Sequence, residues 1–400
     1  MLPVNDLNGI QLVANSCEKW EICSWLSKEE SSIVRKFHES MECYATTPLV
    51  ELKSLAKKLG VKSICIKDES KRFGLNAFKG LGGSYVVFRV VCEKLGLSPE
   101  NTTLEDLKSE KYKDEVSKMV FITTTDGNHG KGVSWASGLL GCKSYVYMPK
   151  GSVEARAQAI RDVGLCQVTI TDMGYDDTVR YTKAIAEEKG WYLVQDTSWA
   201  GYETVPKWIV QAYTTMTYEA LDQLADLGYD APSHVFLQAG VGSMAGSVLG
   251  SLRCCFGREK PVVSIVEPDE CACIFESVRI NDSLPHAATG SEQTIMAGLN
   301  CAEPCELVWP VLRDQADFCF ACPDCVTTHG MRTLAKPLGD DIAVVSGESG
   351  AVTLGLVSLI LENPEFEEYK QMLDIDENSV ILLFSTEGNT DPEGYAKATM

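Results

Sequence analysis

Short, continuously apolar runs recur along this chain, each followed by a stretch with helical spacing, and this alternation limits the folds open to it. The runs are Ser63–Lys67, Met119–Thr123, Ser144–Met148, Gln167–Thr171, Tyr192–Gln195, His234–Gln238, Val262–Val266 and Val380–Phe384. Most are β-branched or aromatic and lack the alternation of a half-solvated strand, so they read as strands covered on both faces. Two of the intervening segments carry helix signals. Ser152–Val163 has Ser152 as an N-cap and Gly164 as a stop, and Asp176–Lys189 is stopped by Gly190. The pattern predicts an α/β protein with parallel sheets flanked by helices. Residues 97–118 read as a polar surface connection with a short helix, residues 280–300 show no period, and residues 389–400 read as a surface tail.

A length of 400 residues suits two domains or one large α/β unit. The net charge of −20 argues against nucleic acid, which requires a basic face, and against an anionic membrane. No apolar run approaches the ~20 residues that span a bilayer. The start, Met-Leu-Pro-Val-Asn-Asp, lacks the basic flank and apolar core of a signal peptide, so the expected location is the cytoplasm. Most of the 16 cysteines stand singly in apolar contexts, as small hydrophobes do. Cys319, Cys322 and Cys325 form a C-x2-C-x2-C run that matches part of a cluster ligand set, but the fourth cysteine and its proline do not follow. No metal is expected there; a clustered thiol patch that oxidises readily is.

Four strings carry chemistry. Lys79 stands after Ala77 and Phe78 and before Gly80-Leu81-Gly82-Gly83, where the lack of side chains lets a ring approach the backbone. A nucleophilic lysine needs such a partly desolvated place. Thr123-Thr124-Thr125-Asp126-Gly127-Asn128-His129-Gly130 turns from a strand into a helix expected from Lys131, and its N–H groups suit a carboxylate. Gln238-Ala239-Gly240-Val241-Gly242-Ser243-Met244-Ala245-Gly246 follows a strand and is either a nest for phosphate or a tight packing turn. It is neither a P-loop nor a full Gly-x-Gly-x-x-Gly. Phe384-Ser385-Thr386-Glu387-Gly388-Asn389 places hydroxyls at the end of the last strand.

In this order the four strings resemble those of the fold type II (tryptophan synthase β-like) pyridoxal-phosphate (PLP) enzymes, over most of the chain. The resemblance implies two α/β domains with the active site in the interdomain cleft: a large PLP-binding domain of residues 1–84 and 198–400, and a small one of residues 85–197 carrying the asparagine loop. It implies Lys79 as the Schiff-base lysine, Asn128 as partner of the ring oxygen, and Gly240, Val241, Gly242, Ser243 and Met244 as the phosphate cup. Ser385 is the partner of the pyridine nitrogen, with Thr386 the neighbouring alternative. A hydroxyl there does not hold that nitrogen protonated, which suits elimination over transamination. A homodimer is implied too.

Serine and threonine dehydratases of this fold carry Ser-Phe-Lys and a small residue ahead of Gly-Asn-His. This chain has Ala77-Phe78-Lys79, and Asp126 in the second place. The strings Lys-Asp-Glu-Ser-Lys-Arg-Phe-Gly-Leu-Asn-Ala-Phe-Lys, Thr-Thr-Thr-Asp-Gly-Asn-His-Gly, Ile-Met-Ala-Gly-Leu, Ser-Gly-Glu-Ser-Gly-Ala and Ser-Thr-Glu-Gly-Asn-Thr-Asp are similar to those of the diaminopropionate ammonia-lyases. Those enzymes convert both enantiomers of 2,3-diaminopropionate to pyruvate and two ammonia. The expected substrate contacts are Thr125, Asp126, Gly127, His129 and Asp196. Asp126 favours the substrate's second ammonium and takes the α-proton of the D-isomer, while Lys79 takes that of the L-isomer. Asp196 is either a second partner for that ammonium or a structural carboxylate, Glu348 is a candidate for the cofactor lining, and His129 is a structural neighbour of Asn128. The alternative within the fold is a serine/threonine dehydratase.

Overall fold

A computed structural model of the chain describes residues 1–16 and 19–400. It divides into two compact units, one of residues 1–28, 46–71 and 216–400, the other of residues 29–45 and 72–215. These cuts differ from the expected ones at 84/85 and 197/198. The first expected cut falls inside the helix Gly80–Leu95, whose residues Gly80 to Val87 are all buried, so the chain cannot be divided there without opening a packed face.

The first unit holds an eight-stranded sheet. Its strands are β1 (Asn5–Leu7), β2 (Ile10–Ala14), β3 (Leu49–Glu51), β4 (Ser63–Asp68), β9 (His234–Gln238), β10 (Val262–Pro268), β11 (Phe318–Cys322) and β12 (Val380–Ser385), in the order β1-β2-β11-β10-β9-β12-β4-β3. The five inner strands from β11 to β4 are parallel, and the outer ones are antiparallel. β4, β9 and β12 are buried at every position, which is why they read as unbroken apolar runs. Even Lys67 of β4 is inside: its Nζ lies 2.7 Å from Glu219 Oε2, with both side chains fully buried, and it also donates to Thr47 O at 2.7 Å and Gln223 Oε1 at 2.8 Å. A buried ammonium is tolerated only when its hydrogens are satisfied in this way.

The second unit holds a four-stranded parallel sheet of β5 (Val120–Thr124), β6 (Lys143–Met148), β7 (Leu165–Ile170) and β8 (Tyr192–Leu193), ordered β7-β6-β5-β8. The edge strand β7 alternates between exposed and half-buried residues, so the sheet is covered least there. Helices Gly80–Leu95 and Asn128–Leu139 meet backbone to backbone. A Cβ on Gly83 would lie 2.5 Å from Gly132 C, and one on Gly132 would lie 2.7 Å from Lys79 O. Gly132→Ala should therefore cost about 1–3 kcal/mol or more through overpacking. A calorimetric midpoint equal to that of the wild type would show that the two helices can part.

Several expectations need correction. β1, β2, β3 and β11 were not anticipated. The helix expected over Ser152–Val163 runs Glu154–Arg161; its N-cap is Val153, without a side-chain cap, while Ser152 Oγ donates to Pro149 O. The helix expected from Lys131 begins at Asn128. Residues 389–400 are no tail: Asp391 caps the helix Pro392–Thr399, and Ala398 joins the core. Cys319 and Cys322 lie in β11, fully buried, with their thiols pushed well up by burial, while Cys325 is exposed. Three apart in a strand, the first two point to opposite faces, so the three thiols form no common patch. No helix among the described residues is long and apolar enough to cross a membrane.

Candidate active site

The second unit places Asp126, Asn128 and His129 after β5 and Asp196 after β8, at the C-terminal ends of these adjacent parallel strands, and Lys79, which precedes the helix Gly80–Leu95, reaches Asp196 there. In open parallel sheets this is the edge at which ligands bind. Thr124 N is held by Gln195 Oε1 at 3.0 Å, which ties the turn after β5 to the segment after β8. Thr125 Oγ1 then accepts from Gly127 N at 2.9 Å, shaping the Asp126–Gly127 turn. Asn128 becomes the first residue of the helix Asn128–Leu139, whose N-terminus no side chain caps. Thr125, Gly127 and His129 are buried, whereas Asp126 and Asn128 are half-exposed, so these two side chains are the accessible ones.

Lys79 Nζ is ion-paired with Asp196 Oδ2. Burial lowers the lysine pKa, but Asp196, then Tyr213 and, more weakly, Asp126 outweigh it, and the ammonium is held well above its ordinary range. Burial likewise opposes the Asp196 carboxylate, and His129 and Lys79 overcome it to bring its pKa down to about 2. His129 Nε2 lies 2.9 Å from the Val194 carbonyl, which can only accept, so Nε2 carries the hydrogen. Its Nδ1 stands 3.7 Å from Asp196 Oδ2 without a hydrogen bond. Burial pushes the imidazole pKa down, and His129 is therefore a neutral spacer rather than an acid. The two carboxylates thus differ. Asp196 is committed to Lys79, and Asp126 is the accessible one.

The first unit brings together the glycine turn and the hydroxyl-bearing segment, again at the C-terminal ends of neighbouring parallel strands, β9 and β12. Gly242 has φ +93° and precedes the helix Ser243–Phe256, which no side chain caps. A Cβ on Gly242 would lie 2.6 Å from Leu312 Cδ1, and one on Gly240 would lie 3.1 Å from Leu299 Cα. The turn thus has no room for a side chain at Gly240 or Gly242 and lies at the positive end of a 14-residue helix, and that donor set suits a phosphate. Ser385 Oγ donates to Ser346 Oγ at 2.8 Å, and Thr386 Oγ1 accepts from Gln238 Nε2 at 2.9 Å. Glu348 is buried at the start of the helix Glu348–Glu362, where Ser349 N donates to Glu387 Oε1 at 3.1 Å. The sequence reading quoted the strings that hold Gln238 and Ser346 but gave these two residues no role. Gln238 closes the strand before the glycine turn, and a polar residue ending an otherwise apolar strand was the available signal.

The profile of the pyridoxal-phosphate dependent enzyme family matches residues 41–374. A diaminopropionate ammonia-lyase of Salmonella typhimurium is 46% identical over 363 residues, 90% of each chain. The holo diaminopropionate ammonia lyase of Escherichia coli superposes with a TM-score of 0.92 at 43% identity, covering 99% of this chain and 98% of that one. The same Escherichia coli enzyme in complex with D-serine gives 0.91 at 41% identity, covering 100% and 97%. The chain belongs to the pyridoxal-phosphate dependent enzymes, in the family of the diaminopropionate ammonia-lyases.

Proposed function

We propose that this chain eliminates the β-amine of D- and L-2,3-diaminopropionate, yielding pyruvate and two ammonia, with pyridoxal 5'-phosphate as cofactor. The observation that carries the reading is the accessible Asp126 beside the Lys79–Asp196 ion pair. A substrate with a second ammonium needs an anionic neighbour; serine and threonine do not. When bound, the cofactor supplies the electron sink that makes the α-proton acidic.

The residues divide the remaining work. Lys79 is the covalent anchor and Asn128 the partner of the ring oxygen. Gly240, Val241, Gly242, Ser243 and Met244 would hold the phosphate through backbone N–H groups, and Ser385, with Thr386 beside it, would partner the pyridine nitrogen. Lys79 as amine takes the α-proton of the L-isomer and as ammonium passes it to the ammonia that departs from the bound β-ammonium; Asp126 takes the α-proton of the D-isomer. Asp196 holds Lys79 in place through the ion pair. Thr125, Gly127 and His129 shape the turn that receives the substrate. By family likeness the enzyme is a cytoplasmic homodimer, which sedimentation of the purified protein would test. It divides into a large cofactor-binding domain and a small one carrying Asn128.

The test is pyruvate release by cofactor-loaded protein from both diaminopropionate enantiomers, with D- and L-serine and L-threonine alongside (threonine read as 2-oxobutyrate). Turnover of diaminopropionate at least about 10-fold above the hydroxy amino acids is expected, the size of effect that one charge-assisted contact gives. Turnover of serine or threonine alone would make the protein a dehydratase of the same fold.

A further inference from the structure

We propose that Glu267 is a positioning residue for the cofactor's phosphate: it fixes the start of the helix Cys273–Ile280, whose first turn packs against the glycine turn 240–242. The assignment rests on the reading above, in which that turn holds the phosphate.

The carbonyls of the glycine turn are engaged. Cys273 Sγ donates to Gly240 O at 3.7 Å, and Cys305 N donates to Val241 O at 2.8 Å. In a trans peptide the C=O of one residue and the N–H of the next point opposite ways. With those two carbonyls turned to Cys273 and Cys305, the N–H groups of Val241 and Gly242 face away from them, in the manner that suits an anion. The space beside Gly242 is filled as well: a Cβ there would lie 3.0 Å from Ile274 Cδ1. Cys273 and Ile274 are the first two residues of the helix Cys273–Ile280, so the place where this helix starts sets the direction of the turn's donors.

That start has no cap of its own, because its N-cap is Ala272 and no side-chain hydrogen bond is made there. Glu267 supplies the cap from β10. It is fully buried, and Ile274 N donates to its Oε1 at 2.9 Å and Phe275 N to its Oε2 at 2.7 Å. These are two of the N–H groups that every helix start leaves over. The residue before it, Val266, accepts from Ala239 N at 2.9 Å, so the cap and the glycine turn set out from neighbouring strands. A buried carboxyl is costly unless its oxygens are bonded, and Glu267 commits both to one helical turn. Burial pushes its pKa up to about 8, against the pull of the Ile274 and Phe275 N–H groups. Near pH 7 it is therefore mostly protonated and brings little negative charge to the neighbourhood of an anion. Glu267→Gln, which is neutral too, tests the hydrogen bonds rather than a charge.

PLP and pyridoxal differ only in the phosphate, and each can be titrated against the full-length protein freed of cofactor, by its change in absorbance on binding. Wild type should take PLP more tightly than pyridoxal. Glu267→Gln keeps one acceptor and turns an amide donor toward the other N–H. It should weaken PLP by about 10-fold, the upper end for one lost hydrogen bond, and leave pyridoxal within about twofold. Ile274→Val removes the Cδ1 atom beside Gly242 and leaves Glu267 in place. It should weaken PLP by about threefold or more, in the range for one buried methyl group, again without a matching loss of pyridoxal; it decides the matter alone if the Glu267 variant does not fold. A wild type without the preference would overturn the phosphate turn and the assignment of Glu267 with it. A wild type with the preference, and variants that keep it or lose both ligands equally, would overturn the assignment alone and leave Glu267 as a helix cap. If the preference falls in the variants but the wild type releases no pyruvate from diaminopropionate, the proposed reaction fails while the assignment of Glu267 stands.

Discussion

Lys79→Ala is expected to lose turnover of both diaminopropionate enantiomers by about 10⁴-fold or more, and to release its cofactor on gel filtration under conditions where wild type retains it. The backbone of Lys79 is fixed by the contact with Gly132, and its Nζ is held by Asp196. The loss combines a covalent anchor with a proton carrier, each worth several powers of ten, at about 1.4 kcal/mol of barrier per decade. The Asp196 pair explains how one amine serves both purposes. Beside the carboxylate the ammonium is favoured despite burial, so a lysine that has taken an α-proton is stabilised until the leaving amine removes it. Asp196→Asn should lower the Lys79 pKa and slow both enantiomers alike, since the ion pair stands apart from the choice of face. Retention of turnover in Lys79→Ala above about one thousandth of wild type would overturn the assignment of Lys79.

Much of this was legible in the chain because function and fold leave different marks. The buried parallel strands β4, β9, β10 and β12 announced themselves as apolar runs and were found within two residues at either end. The strands that were missed carry other marks. β1 and β2 are joined by Asn8 and Gly9, both at positive φ, and an Asn-Gly pair is a hairpin signal whatever the apolar content around it. β11 was hidden by its cysteines, because Phe-Cys-Phe-Ala-Cys draws the eye to ligand spacing when thiols can simply be apolar strand residues. The end of the chain held an Asp-Pro pair, an N-cap followed by a residue pre-set for the first helical position. Within the site, Lys79 was picked out from one contiguous string and Asp126 and Asn128 from another. Their separate protonation could not be read. That Asp196 is bound to Lys79 while Asp126 is left accessible depends on where β8 ends, and Tyr192–Leu193 is the shortest strand described.

Asp126→Asn is expected to lower turnover of D-2,3-diaminopropionate by about 10²–10⁴-fold, the usual contribution of a positioned general base, while turnover of the L-isomer changes by less than about 10-fold. With the other groups on the α-carbon held alike, the two enantiomers present their α-hydrogens on opposite sides, and one lysine reaches one side. A second base is therefore required, and the structure offers two carboxylates. Asp196 is disqualified by its own stability: it is buried, held at a pKa of about 2 and engaged with the Lys79 ammonium, so it is a weak base with no free approach. Asp126 is half-exposed and in the turn that receives the substrate, and its charge is felt at Lys79 only as the weakest of the influences that raise it. Asparagine keeps the shape and the hydrogen-bonding capacity of Asp126 and removes only the charge and the basicity, so any general loosening of the site would affect both isomers. The measurement is kcat/KM for each enantiomer in wild type and variant, with α-deuterated substrates to show that proton removal has become rate-limiting for the D-isomer alone. A loss shared equally by the two isomers would assign Asp126 to binding of the second ammonium and return both proton transfers to Lys79.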